Sequence, residues 1–540
     1  MRMLLVLRRA LWAQTERGPW FALLMTAAFG AAQVFGHRDH ELWKDELHCY
    51  GVGRSASGLF DLLTGERRYE GHPFMWYLLL HLASRVHRDW ISLPVVSTAV
   101  ATLAGYVWLR YARVPRLLRV ALLGSYYLLY EYGVLSRSYT LGMLLVFVFC
   151  ALYHPLRIRY VASGFVLFLI AATSLYGTLI AGMLALFLFT HDVRWIAPDA
   201  RDDRGRIALP LGWAAGLLVF GAGLALTALT TIPPGDSMYA PGWSFDFSFE
   251  TLKTDFANYW GAMLPFHNLT EWNWLFIDYL GSTWGLAPGW IAAFGFAYFL
   301  GWLWSLRKVP VLAGAYALGV FAMMAVQHGI YPAALRHRGH YFILLLACLW
   351  LHEVERRGRA RAYLAYGLLG ATLCVQIATG VAAMRTDHNV VFSDAQNAAK
   401  FLRDNNLQHV AIIGSTDHAS SPIAIMLDTP FLFQETGETH QVVLEHNRRQ
   451  PPNPMLIMSM AVELLTRTDR VLLLLNYDNP SLVPPGYELK LLYRGQPALM
   501  YDESYRIYEL KRSAPPPPQA ALEAPPAAAT PPAAPAHAVN

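Results

Sequence analysis

Apolar residues gather in long blocks along this chain, separated by short charged or Gly/Pro-containing segments. The blocks are Trp20–Val34, Trp90–Tyr111, Val120–Tyr132, Tyr139–Tyr153, Val161–Leu175, Thr178–Thr190, Leu209–Thr230, Pro288–Leu306, Val309–Gln327, Tyr341–His352 and Ala362–Ala383. A helix that crosses the hydrocarbon core needs roughly 20 apolar residues, so the shorter blocks must borrow their flanks. The pattern predicts a polytopic α-helical membrane protein of about 11 transmembrane helices. It changes near Asp387. From there Asp394–Asn405 and Met455–Arg467 read as helices, and Val410–Gly414, Val471–Leu475 and Arg506–Leu510 as strands. That alternation predicts a small α/β soluble domain. From residue 513 the chain is rich in Pro and Ala and is expected to be disordered. Three units follow: a membrane domain over 1–386, a soluble domain over 387–512 and a tail over 513–540.

Charge orients the spans. Lysine and arginine in short loops favour the cytoplasmic side. With the N-terminus inside (Arg2, Arg8, Arg9, Arg17), eleven crossings put five more basic clusters inside: Arg110/Arg113/Arg116/Arg119, Arg157/Arg159, Arg194–Arg206, Arg307/Lys308 and Arg356/Arg357/Arg359/Arg361. The C-terminal domain is then outside. The segment His72–Val86 is too short for a span and is expected as an outer amphipathic juxtamembrane helix, with Trp76, Tyr77 and His81 near the headgroups. Tyr50–Leu63 is expected to lie on the surface in the same way.

Composition fits lipid as solvent. The 540 residues are 55% hydrophobic and 15% charged, against about a quarter charged in soluble proteins. The 17 Trp and 28 Tyr suit interfacial belts. A net charge of +5 over this length gives no sign of a nucleic-acid partner. The four cysteines, Cys49, Cys150, Cys348 and Cys374, show neither zinc spacing nor a disulfide framework. The basic start, with no small-residue cleavage site after it, reads as an uncleaved anchor.

Two constellations carry chemistry. Asp45 and Glu46 stand in LWKDELHCYG just outside the first span. They are either solvated surface charges or, half shielded by the membrane, a general base that activates an acceptor hydroxyl. Arg336-His337-Arg338-Gly339-His340 falls outside, against the positive-inside trend. Either it anchors generic headgroups or it binds a lipid phosphate, which arginine forks grip in a bidentate way. Asp255, His267 and Glu271 in the third outer loop either bind an acceptor or satisfy loop backbone. The triplet Asn268-Leu269-Thr270 carries no weight, and Asp417-His418 reads as structural. There is no GxGxxG and no P-loop to hold a nucleotide.

Four segments, in order, resemble the GT-C superfamily of glycosyltransferases, which includes protein O-mannosyltransferases and aminoarabinose transferases of lipid A. They are KDE (Lys44–Glu46), GHPFMWYLLLHL (Gly71–Leu82), RYARVPRLLR and YEYGVLSRSYTLGML (Tyr130–Leu144). In the last, Arg137 and Tyr139 match the family pattern. Leu135 stands where the family has Glu, and Glu131 is the acid one helical turn earlier. Phe74 replaces the second proline of the family's His-Pro-Pro. The resemblance covers roughly residues 1–190. It implies an integral membrane enzyme of the bacterial inner membrane that moves a sugar from a polyprenyl-phosphate donor to an envelope lipid, glycan or protein acceptor on the outer face. It further implies Asp45 as base, Glu46 as its helper, and Arg137 and His72 near the donor phosphate. Arg336, His337 and Arg338 would join them there, with Glu131, Tyr139 and His267 as helpers or acceptor contacts. No cofactor is demanded and no metal ligand is assigned; a divalent metal at Asp45/Glu46 is left open. Two other classes compete. A sugar or lipid transporter or flippase would carry polar residues at the midplane, whereas here they gather at one surface. A non-catalytic assembly subunit would need neither constellation.

Overall fold

In the computed structural model the described residues are 11–14, 18–191, 211–239, 242, 246, 248–265, 285–330, 333–356, 363–478 and 483–513. His267, Glu271, the basic residues Arg2, Arg8, Arg9, Arg17, Arg194–Arg206, Arg357, Arg359 and Arg361, and the tail from Ala514 lie outside them.

Six helices are long and apolar enough to cross a membrane: Trp20–Asp39, Ser92–Tyr111, Leu211–Thr231, Pro288–Leu306, Pro310–Gly329 and Tyr363–Asn389. They hold large apolar side chains on the outside, among them Leu24, Leu218 and Leu229 at 70, 71 and 70% exposure. A helix so apolar would be buried in a water-soluble core, so lipid must cover these faces. The chain is a multi-pass membrane protein. Four more of the apolar blocks form shorter helices, Ser138–Leu152, Tyr160–Ala171, Leu175–His191 and His340–Glu355. The block at Val120–Tyr132 departs most from expectation. A helix over Arg116–Leu123 stops at Gly124, and one π turn follows over Tyr127–Glu131. The last long helix crosses there at Gly380, where an added Cβ would lie 3.0 Å from the Gly124 carbonyl oxygen. The break turns Tyr126, Tyr127, Tyr130 and Glu131 inward.

After the first long helix the chain makes a surface layer of helices, Lys44–Ser55, Leu59–Thr64 and Met75–Val86, with a 3-10 turn over Glu66–Glu70. Met75–Val86 is two-faced as expected, but its faces are reversed. Trp76, Tyr77 and His81, expected at the headgroups, are 1, 2 and 8% exposed, while Leu82 and Val86 face out. The reason is Lys44–Ser55, which packs over that face. A Cβ at Gly53 would lie 3.0 Å from the Tyr77 carbonyl oxygen, and His81 Nδ1 is 3.0 Å from the Gly53 oxygen.

The C-terminal region is a mixed sheet, order β3-β2-β1-β4-β6-β5. Its strands are β1 (Ala411–Ser415), β2 (Phe431–Phe433), β3 (Thr439–His440), β4 (Arg470–Leu475), β5 (Tyr487–Arg494) and β6 (Arg506–Arg512). β1 is parallel to β2 and to β4, with Ile413 opposite Leu473, and the other pairs are antiparallel. β1 and β4 are apolar along nearly their whole length because both faces are covered, as parallel strands require. Helix Ala395–Asp404 leads into β1, Asp417–Leu427 joins β1 to β2, and Pro454–Leu464 joins β3 to β4. Asp417–Leu427 docks on Lys44–Ser55. A Cβ at Gly51 would meet Ile425 at 2.7 Å and Val442 at 2.8 Å, and Arg54 reaches Gln441 at 2.8 Å and Asp428 at 3.3 Å.

Without a hydrophobic drive inside lipid, helices associate through close backbone packing at small residues. Tyr160–Ala171 and Leu211–Thr231 do so at Gly164 and Gly216. Added Cβ atoms there would lie 2.2 Å from the Gly216 oxygen and 2.5 Å from the Tyr160 oxygen. Gly216→Ala should therefore cost at least the usual 1–3 kcal/mol of overpacking, roughly, because backbone rather than a side chain must yield. Gly221, on the same helix with nothing within 4 Å, is the control. Thermal melting of purified protein should show a lowered midpoint for Gly216→Ala and none for Gly221→Ala.

Candidate active site

The helix Lys44–Ser55 begins where the first long helix ends, and its first turn holds both acids. Acidic residues suit the positive end of a helix. They point different ways. Glu46 is fully buried and caps the helix, its Oε2 accepting from the Trp43 N–H at 3.2 Å. The same oxygen is 2.9 Å from His40 Nε2, and its Oε1 accepts from the Ser136 N–H. His40 Nδ1 in turn lies 3.0 Å from Asp387 at the end of the last long helix. The acid expected to help Asp45 is thus committed to a buried Glu46–His40–Asp387 chain.

Asp45 faces the other way and is 25% exposed. Its Oδ2 lies 3.1 Å from the Arg336 guanidinium and 3.5 Å from that of Arg137, which also donates to the Asp45 carbonyl oxygen. Burial works to raise the carboxyl, but Arg137 and then Arg336 outweigh it and hold it below the ordinary carboxylate range. Arg336 is seated on the Trp43 ring, 5.3 Å from its centroid. Three residues predicted from distant parts of the chain therefore meet at one point.

The other predicted residues take distinct places. His72 is tied by Nδ1 to the Glu70 oxygen at 2.7 Å; burial and then Arg137 keep it below the ordinary imidazole value. His337 accepts the Ala334 N–H at 3.1 Å and stacks on Tyr176, and burial with Arg336 beside it keeps it neutral. Tyr139 stands edge-on to His337 and His340. Arg336 and Arg338 do not form one cluster. Arg338 lies among Tyr341, Tyr176, Tyr127 and Asp255, 7% exposed, with neither an ion pair nor a hydrogen bond among the described residues. Glu131 is bonded to the Tyr126 hydroxyl at 2.5 Å in the π turn, and not to Asp45. Asp255 pairs with His328 at 2.5 Å. Among the described residues no three His, Cys, Asp or Glu side chains converge as a metal centre would need.

The sequence left several neighbours unmarked. His48 lies one turn after Asp45 on the same helix and contacts Glu70 at 2.7 Å. Burial disfavours its charge, but Glu70 dominates and raises it above the ordinary imidazole value. Glu445 of the C-terminal sheet region acts on the same His48. The loop 232–239 bridges the two layers: Tyr69 meets Asp236, and Met238 N–H donates to the Glu445 oxygen at 2.8 Å. The i, i+3 spacing of Asp45 and His48 was the one available signal.

No family model and no curated protein matches the chain. Solved structures similar to it include ArnT from Cupriavidus metallidurans in the apo state, at 14% identity and TM-score 0.42 over 91% of this chain and 97% of that one. The same protein bound to undecaprenyl phosphate gives 14% and 0.40 over 91% and 98%. The arabinofuranosyltransferase AftD from Mycobacteria gives 12% and 0.40 over 93% of this chain and 40% of that one. These solved structures are GT-C glycosyltransferases.

The buried chain at His40 has a pH signature. Burial opposes a charged ring, but Asp387 and Glu46 outweigh it and raise His40 well above the ordinary imidazole value. The stability it adds is whole below the unfolded value of about 6.5 and is lost as pH rises through the raised one. His40→Gln should cost on the order of 3–5 kcal/mol, since two buried carboxylates lose their cation. In melting curves the deficit should be largest at about pH 6 and shrink as pH rises. A deficit that does not change with pH would show that shape, not charge, is at stake.

Proposed function

We propose that the protein is a glycosyltransferase that takes a sugar from a polyprenyl-phosphate lipid and passes it to an envelope lipid, glycan or protein acceptor on the outer face of a bacterial inner membrane. What carries this is the Asp45–Arg336–Arg137 constellation: one partly exposed carboxylate held by two guanidiniums at the edge of a membrane domain. A phosphate is the natural competitor for both forks. As the donor phosphate arrives, Arg336 and Arg137 turn to it, and Asp45 loses the charges that hold its pKa down. The carboxylate is then a better base for the acceptor proton as the acceptor attacks the anomeric carbon. The sugar–phosphate bond breaks, and its electron pair leaves on the phosphate, whose growing charge the arginines stabilise. In-line attack inverts the anomeric centre. Neutral His337, whose Nδ1 accepts the Ala334 N–H, donates from Nε2 at that site; neutral His72, whose Nδ1–H is given to the Glu70 oxygen, offers Nε2 as an acceptor, and Tyr139 shapes the site. Arg338, buried and without an ion pair among the described residues, approaches the donor anion from the opposite side of its turn. Glu46 orients the helix rather than touching substrate.

Asp45→Asn should remove detectable sugar transfer in membranes while donor lipid still binds, since losing a general base costs about two to four powers of ten. Glu46→Gln should act through folding, lowering stability before rate. Arg336→Ala should cost about a hundredfold in rate, and Arg336→Lys should recover only part because the fork is lost. Wild-type transfer by Asp45→Asn would overturn the mechanism. Reporter fusions at Arg116, Lys308 and Ser513 should place the first two in the cytoplasm and the third outside; an outer signal at Arg116 would invert the site's placement.

A further inference from the structure

The C-terminal sheet carries a second polar centre that the transfer mechanism does not use. Chain direction changes beside β1. The connection through Asp417–Leu427 leads to β2 on one side, and the connection through Pro454–Leu464 leads to β4 on the other. In open α/β sheets, ligands bind outside the carboxyl ends of the strands at such a switch point.

The residues there are polar and tightly organised. Ser415, at the end of β1, donates to Glu435 Oε1 at 2.7 Å and receives the Tyr477 hydroxyl at 3.3 Å. Asn476, just past β4, takes the Thr416 N–H at 3.3 Å. Arg449 holds Asp417 with two nitrogens and Glu445 at 2.8 Å, and Glu445 also meets His418 at 3.0 Å. Around this closed network three buried polar atoms have no partner among the described residues: Glu435 Oε2, His440 Nδ1 and His446 Nδ1. Glu435 is 3% exposed and His446 9%. The Asp417–Arg449 pair acts on Glu435 and on His440, and His446 acts on His440, so the orphans share one neighbourhood. Native proteins rarely leave buried polar atoms unpaired unless something fills the place.

The chemistry selects the occupant. An anion would face the carboxylates of Asp417, Glu435 and Glu445, with the Arg449 guanidinium already taken by two of them. A metal lacks converging ligands among the described residues. Burial, then Asp417, pushes Glu435 up to about 7, so it can accept or donate near neutral pH. An imidazole nitrogen can likewise do either. A hydroxyl, both donor and acceptor, satisfies each of the three.

We infer that the carboxyl ends of β1, β2 and β4 form a saccharide-binding site in which Ser415, Glu435, His440, His446 and Tyr477 hold sugar hydroxyls. Granting the transferase proposal, the sugar is the carbohydrate part of the acceptor. Glu445 links the two centres, since it bonds Arg449 here and acts on His48 beside Asp45. The loop 232–239 closes over the seam, with Ser237 bridged to His446.

The test uses the full-length protein in a detergent without a sugar headgroup, with methyl β-D-glucopyranoside as probe and ethanolamine as an ammonium control. Amide hydrogen exchange should slow at 411–417, 431–446 and 471–477 with the glycoside and not with ethanolamine. Glu435→Gln keeps the Ser415 bond and the side-chain shape, and should weaken glycoside binding about tenfold, the worth of one hydrogen bond to a charged group. His446→Phe should do the same. Asp45→Asn should bind the glycoside as wild type does, so failure of the transfer proposal and failure of this one are separately visible. No slowing in wild type, equal slowing in both variants, or stronger slowing with ethanolamine each overturns the site.

Discussion

The structure depends on one buried charge chain, Glu46–His40–Asp387. It joins the end of the first long helix, the start of Lys44–Ser55 and the end of the last long helix. Buried charges are expensive and persist only when paired. Because Glu46 spends both oxygens on His40, the Trp43 N–H and the Ser136 N–H, the helix can have one rotation, and in that rotation Asp45 must look outward. Position in the sequence makes the two acids neighbours; the chain of protons makes them opposites.

From that fixed start the candidate site is assembled by long-range pairing. Arg137 comes from the turn after the π break, and Arg336 from a four-residue helix nearly 300 positions after Asp45, 291 residues away. Neither arginine could be held there by local structure. Arg336 is stationed by Trp43 under its guanidinium and by the Tyr132 hydroxyl on its carbonyl at 2.6 Å, and Arg137 by its hydrogen bond to the Asp45 carbonyl oxygen.

Much of this was legible in the sequence because apolar length and loop charge are local signals. The long helices, the two-faced Met75–Val86 and the strands at 411–415 and 471–475 follow from pattern alone. The rest is tertiary. Nothing local says that Met75–Val86 turns its aromatic face to protein instead of lipid, since either environment accepts Trp76 and Tyr77. Nothing local breaks the block at 120–132 either; Gly124 is tolerated in many helices, and the crossing of Gly380 decides it. The five-residue cluster at 336–340 looked like one basic patch, but alternate residues of a tight turn face apart, so Arg336 and Arg338 serve different surroundings. His40 and Asp387 were invisible because a buried ion pair has no spacing rule across hundreds of residues.

The helix Lys44–Ser55 has two contracts. Asp45 belongs to the membrane domain's arginines, while Lys44, Gly51 and Arg54 belong to the sheet domain, through Asp502, Ile425 and Asp428. A dozen residues thus form the seam between the helical part and the sheet. A domain grafted from elsewhere would arrive without the matching surface of this helix, and remodelling the helix to receive it would disturb the very turn that carries the acid. A change on the sheet side of this helix, at Gly51 or Arg54, is therefore felt two turns away at Asp45, so neither part can be altered along this helix without the other.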